Sequence, residues 1–211
     1  MKNKALIIGA SGLVGKSLST QLAQSNLYEK VTVLVRKKLN FDHPKIEQVV
    51  IDYNHLDSLQ LNADHIFCCL GTTIKKAGSK EAFKKVDYEY PLQIAKIAEK
   101  EHAKLYAIVT AMGASEDSSI FYNKVKGTVE ADLAKLSIPS IGIFRPSMLL
   151  GDRTESRLGE KIGKSLMKAF DFIIPDKYKA IHVDQVAKAM VNYAKNPLKG
   201  VTITENDAML D

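Results

Sequence analysis

Residues 4–15 read KALIIGASGLVG: an apolar run, then three glycines, Gly9, Gly12 and Gly15, then helical spacing that continues over residues 13–25. A strand that turns through glycines into a helix leaves few folds open to a chain. Glycine lets the backbone turn tightly and lets amides approach an anion, while the helix that follows offers its positive N-terminal end. An ordinary strand-to-helix turn also uses glycine, but a clear strand before the loop and a clear helix after it are the context that marks a dinucleotide loop. The loop residues Gly9, Ser11, Gly12, Leu13 and Val14 are therefore expected to meet a pyrophosphate, and Gly15 to let the helix pack closely on the strand.

The rest of the chain repeats that alternation. Short apolar runs at 4–9, 31–36, 46–51, 65–70, 105–110 and 139–145 read as strands, and residues 13–25, 80–101, 119–136 and 184–195 carry helical spacing. The strands are near-continuous Val, Ile and Leu rather than strictly alternating, so both faces should be covered. The expectation is an α/β fold: a doubly wound parallel sheet with helices on both faces. A length of 211 residues suits a single domain over 1–211. Residues 147–180 would form a small substrate-side segment within it.

Charge and composition narrow the function. The net charge of +6 comes from 30 basic residues spread among 24 acidic ones, with only 7% aromatics and no recognition-helix or RNA-stacking motif, so nucleic acid is not expected as a partner. A modest basic excess suits anionic small molecules. No run approaches the roughly 18 apolar residues of a membrane span, and the apolar start is cut at once by glycines, unlike a signal peptide. The expected address is the cytoplasm. The two cysteines, Cys68 and Cys69, are neighbours in an apolar strand, which favours a reduced pair over a disulfide. The five histidines show no metal-ligand spacing, and no metal is expected.

The second strand bears on the cofactor. An acidic residue about 20 positions past the loop would grip a ribose 2′-hydroxyl; this chain has Arg36, Lys37 and Lys38 instead. A guanidinium can hold a 2′-phosphate that a carboxylate would repel, so NADP(H) is expected over NAD(H). Asp52, at the end of the third strand, is either an adenine contact or a turn-forming aspartate. Leu70, Gly71, Thr72 and Thr73 follow or end the fourth strand, where a cofactor passes in such folds.

In FYNKVKG, Tyr122 and Lys126 are four residues apart. On a helical wheel they lie about 40° apart, and Val129, Leu133 and Leu136 fall within about 40° of Tyr122. Both residues thus continue the inward stripe, where a lysine is costly without partners. A free tyrosine titrates near 10, and a lysine cation one turn away favours phenolate. Tyr122 is the expected proton donor to a carbonyl oxygen, with Lys126 its helper and a holder of the nicotinamide ribose. Thr110 or Ser115, at and beyond the end of the fifth strand, would steady the substrate oxygen; the residues alone leave that choice open.

GASGLVG, FCCLGTT, YNKVK, FRPSMLLG and IHVDQVAKAM occur in the order of an extended or atypical short-chain dehydrogenase/reductase, which the chain resembles over nearly its whole length. More narrowly, LGTTIKKAGSKEAFKKVDYEY, YNKVKGTVEADL and RPSMLLGDRTESR resemble the family of the Tat-interacting tumour-suppressor protein and its small bacterial relatives. The resemblance implies a Rossmann fold binding NADP(H), with Tyr122 and Lys126 in the active-site slots and Arg145 and Pro146 lining the cofactor pocket. It also implies that His182 and Asp184 shape the substrate side, and that homodimers form through helices 80–101 and 119–136. The chain departs from the pattern at Thr110-Ala111, where many relatives carry two serines. Three functions remain open: an NADP(H)-dependent oxidoreductase acting on a small carbonyl or alcohol, a non-catalytic NADP(H) redox sensor, and an epimerase or dehydratase that retains its cofactor.

Overall fold

The computed structural model describes residues 2–41, 43–56, 58–151 and 175–210. Seven strands form one parallel sheet: β1 (Asn3–Ile8), β2 (Tyr28–Val35), β3 (Ile46–Val50), β4 (His65–Cys68), β5 (Leu105–Val109), β6 (Ser140–Arg145) and, last in the chain, β9 (Gly200–Glu205). Their order across the sheet is β3-β2-β1-β4-β5-β6-β9. Between β6 and β9, Leu149–Leu150 (β7) pairs in parallel with Ile181–His182 (β8). Among the described residues the α-helices are α1 (Leu13–Gln24), α2 (Ile74–Ala77), α3 (Lys80–Lys84), α4 (Tyr90–Lys100), α5 (Phe121–Leu133) and α6 (Val183–Lys195). A wider π turn at Lys85–Glu89 joins α3 to α4 without a break.

Alternate residues of each strand feed two apolar layers. Ala5, Ile7, Val31, Val33, Phe67 and Ala107 pack with Val14, Leu18 and Leu22 of α1 and Val186, Ala187 and Met190 of α6. Leu6, Ile8, Ile66, Tyr106, Ile108 and Ile143 pack on the other face with Ile94, Ala95 and Ala98 of α4 and Val129 and Leu133 of α5. Both faces of the sheet are therefore covered, as the continuous apolar runs require. The sequence-based strand set lacks β9, whose residues at Gly200–Glu205 are half-buried or exposed at the sheet edge. Of the expected substrate-side segment at 147–180, residues 152–174 lie outside the described residues.

The strand order reverses between β1 and β4. Connections leave these neighbours on opposite faces, opening a crevice beyond their carboxyl ends, the place where ligands bind in open α/β sheets. Among the described residues no helix is long and apolar enough to cross a membrane.

Candidate functional site

A cavity of about 470 Å³ occupies that crevice. One wall is Ser11 to Val14, another Cys69 to Thr73, and the far wall is Val109, Thr110, Tyr122 and Lys126 with Asp87. A larger open groove, about 1050 Å³, lies at the opposite edge among Lys2, Asp64 and Lys104. It sits at the amino ends of the strands and gathers neither the glycine loop nor the tyrosine–lysine pair.

The glycine loop is built by close backbone approach. Gly9 has φ of +84°, and a Cβ there would stand 2.4 Å from the Cys69 carbonyl carbon. A Cβ on Gly15 would stand 2.2 Å from the Gly9 carbonyl oxygen. Neither position admits a side chain, and together they draw β1, the loop after β4 and α1 into contact. Gly12 then caps α1 with no side-chain hydrogen bond, and the first turn carries no acidic residue. The free N–H groups and the positive helix end face the cavity, as an anion requires.

The far wall holds an ion pair out of water. Lys126 Nζ lies 2.8 Å from Asp87 Oδ1, with side-chain exposures of 4% and 0%. Asp87 Oδ2 accepts the N–H of Thr72 at 3.0 Å, which ties the loop after β4 to the pair. Burial opposes the charge on Lys126, but the Asp87 carboxylate and the Tyr122 phenol hold it above the ordinary lysine range. Burial pushes Asp87 above the usual carboxylate range, against the pull of Lys126 and the Thr72 amide. Tyr122 is half-buried at the cavity and packs its ring on Phe83, with centroids 5.4 Å apart. The inward stripe expected from the wheel is real: Val129 and Leu133 are fully buried, whereas Lys124 is exposed.

Gly71, Thr72 and Thr73 line the cavity with Leu70. Arg36, Lys37 and Lys38 are exposed beyond the carboxyl end of β2. Arg36 makes no hydrogen bond or ion pair among the described residues, which leaves its guanidinium open to a ligand.

Several expectations need correction. The Thr110 hydroxyl is buried and donates to Glu130 Oε1 at 2.5 Å, so its proton points into the protein and not at a substrate oxygen. Ser115 is exposed and outside the cavity wall, where its Oγ accepts the N–H of Asp117. Arg145 is held by Glu130 (2.5 Å) and Glu205 (3.0 Å), a bridge from α5 to β9, and the Pro146 carbonyl accepts the N–H of Met112; neither lines the cavity. Asp52 closes a turn, accepting from the Asn54 amide at 2.9 Å and lying 3.0 Å from His55 Nδ1, which is the turn-forming alternative. His182 caps α6, and the Asp184 carboxylate accepts from Ser17 of α1 at 2.5 Å, so both residues fasten α6 in place.

Sequence patterns alone did not single out Asp87. Its signal was present: it falls four residues after Phe83 and seven before Ile94, on the inward stripe of the second long helix. A carboxylate on one inward stripe and a lysine on another are a pair waiting for the fold to join them.

A family model described as NAD(P)H-binding matches residues 9–138. Protein HTATIP2 of Rattus norvegicus is 37% identical over 221 aligned residues, which cover 100% of this chain and 89% of that protein. Protein FMP52, mitochondrial, of Debaryomyces hansenii is 33% identical over 92% of this chain and 88% of its own length. The solved structure of MoeE5 in complex with UDP-glucose and NAD superposes with a TM-score of 0.71 at 16% identity, over 98% of this chain and 79% of that one. That last likeness speaks for the Rossmann fold alone.

Proposed function

The chain belongs to the NAD(P)H-binding family of atypical short-chain dehydrogenase/reductases that includes protein HTATIP2, and from that premise we propose that it is an NADP(H)-dependent oxidoreductase acting on a small carbonyl or alcohol. The observation that carries this reading is one cavity with an uncapped helix N-terminus on one wall and Tyr122 beside buried Lys126 on another.

The glycine cradle fits a dinucleotide: no side chain intrudes at Gly9, Gly12 or Gly15, and the first-turn amides of α1 are free for a pyrophosphate. Arg36 would take a 2′-phosphate in a paired hydrogen bond, which favours NADP(H) over NAD(H). The nicotinamide, when bound, supplies hydride transfer. The remaining chemistry falls to the chain. The Lys126 ammonium, which lines the same cavity as Tyr122, would hold sugar hydroxyls of the cofactor. Tyr122 gives its proton to the substrate oxygen, or takes one in the reverse direction.

A second reading has one observation in its favour. The Thr110 hydroxyl is committed to Glu130, and Ala111 has none to offer, so among the described residues this strand end does not present the hydroxyl a reductase uses to steady an oxygen. That favours a redox sensor which binds NADP(H) and relays its state. An epimerase or dehydratase, the third function, should purify with its nicotinamide in place.

Direct titration of cofactor-free protein with NADPH, NADP+ and NADH, followed by NADPH oxidation over a panel of small aldehydes and ketones, tests the proposal. We expect NADPH to bind at least about tenfold tighter than NADH, a margin of roughly 1.4 kcal/mol. Tyr122→Phe should bind NADPH as the parent does and lose roughly 100-fold or more of its turnover. Undiminished turnover removes Tyr122 from the mechanism; a parent that turns over nothing, with NADPH and NADP+ differing about 100-fold in affinity, selects the sensor.

A further inference from the structure

The proton-transfer reading uses Tyr122 and Lys126 but assigns nothing to Asp87. Its position on the inward stripe would accept an apolar side chain, and a carboxylate there needs compensation. The Thr72 amide meets Oδ2 and the Lys126 ammonium meets Oδ1. Oδ1 has no further hydrogen-bond partner among the described residues. It lies directly beneath the loop at the cavity, because a Cβ on Gly71 would stand 3.6 Å from Oδ1 and 3.8 Å from Lys126 Nζ. An asparagine carbonyl could accept the same amide. What only a carboxylate adds is a negative charge that cancels that of Lys126.

Charge at this wall bears on redox state. The oxidised nicotinamide ring is a cation and the reduced ring is neutral. With the pyrophosphate on α1 and the adenosine half toward Arg36 beyond β2, a dinucleotide extends its other half across β4 toward Tyr122 and Lys126. A lone ammonium there would repel the oxidised ring and favour the reduced form. We propose that Asp87 is a positioning residue for Lys126 whose carboxylate neutralises this wall and so raises the affinity for oxidised cofactor relative to reduced. The inference rests on the dinucleotide reading of the cavity.

The test is the ratio of dissociation constants for NADP+ and NADPH, measured by direct titration on the whole protein. In Asp87→Asn the ratio should shift roughly tenfold toward NADPH, the scale of one unit charge acting within ~10 Å at an effective dielectric near 20. Lys126→Met should shift it the opposite way, and the double variant, neutral again, should return to within about twofold of the parent. The probe adenosine 2′,5′-bisphosphate, which has neither the nicotinamide ring nor its ribose, should bind the parent and Asp87→Asn equally, which shows that the 2′-phosphate end is intact. Should Asp87→Asn fail to fold, Lys126→Met against the double variant reads the same charge. A ratio that stays within about twofold across the series, in a parent that binds both cofactors, overturns the role of Asp87 alone. A parent that binds neither overturns the cofactor reading and this inference with it.

Discussion

Removing either member of the Asp87–Lys126 pair should destabilise the protein with opposite pH dependence. Lys126→Met leaves a fully buried carboxylate without its cation; Asp87→Asn leaves a buried ammonium without its anion. Breaking such a pair from one side costs about 3–5 kcal/mol. For a chain of this length about 2–4 °C is lost per kcal/mol, so the midpoint should fall by about 6–20 °C. The direction with pH separates the variants. In the parent both groups sit above their ordinary ranges. The Lys126 contribution is complete below the ordinary lysine range and disappears as pH rises through its raised value. The Asp87 contribution is complete below the ordinary carboxylate range and is lost as pH rises through its own. Without Lys126 the Asp87 carboxyl rises further, so Lys126→Met is weakest at pH 8 and recovers on acidification, by up to about 1.4 kcal/mol per pH unit. In Asp87→Asn, burial without a counter-charge drives the lysine below its ordinary range, so that variant recovers as pH rises toward 10. Calorimetric melting at pH 5.5, 7 and 9.5 reads both, and the absence of tryptophan makes calorimetry preferable to fluorescence. Slopes of the same sign, or losses below about 1 kcal/mol in both variants, would refute a desolvated pair and mark it as solvent-screened.

Two further outcomes follow from particular contacts. Gly15→Ala places a Cβ 2.2 Å from the Gly9 carbonyl oxygen, a backbone atom that cannot yield; we expect a loss of about 3 kcal/mol in melting and at least tenfold weaker cofactor binding by titration. His65 is buried at the Tyr28 hydroxyl, 2.7 Å from its Nδ1, and burial lowers its pKa to about 4. A depressed histidine contributes stability above its unfolded value near 6.5, and that stability is lost as pH falls through its folded value. The parent should therefore lose about 3 kcal/mol between pH 6.5 and 4 by denaturant titration, and His65→Gln should flatten that slope.

The parts of this fold that were legible in the sequence depend on contacts between near neighbours. The order strand, glycines, helix at 4–25 needs only local turn geometry and one close approach, so Gly9, Gly12 and Gly15 announce it. The pairing of Tyr122 with Lys126 is one helical turn, and a wheel suffices to place both on the buried side. What stayed hidden was decided by segments far apart in the chain. Thr110 carries a hydroxyl at the correct strand end, yet its direction is set by Glu130, twenty residues on. Arg145 ends a strand whose exit resembles a cofactor wall, but Glu130 and Glu205 take it first. β9 is an edge strand with one face open to water, and its alternating Val201, Thr202, Ile203 and Thr204 give a weaker signal than the buried strands. Asp87 combines both cases. Its place on an inward stripe was local and readable, whereas its partner lies 39 residues later on another helix. A buried lysine that demands an anion, and a buried aspartate that demands a cation, each state half of a requirement that only the packing of α5 against the π turn completes. An inward carboxylate on the helix after the fourth strand is thus a natural counter-charge for the inward lysine of this YxxxK helix: helical wheels place each on a buried stripe, and the packing of the two helices joins them.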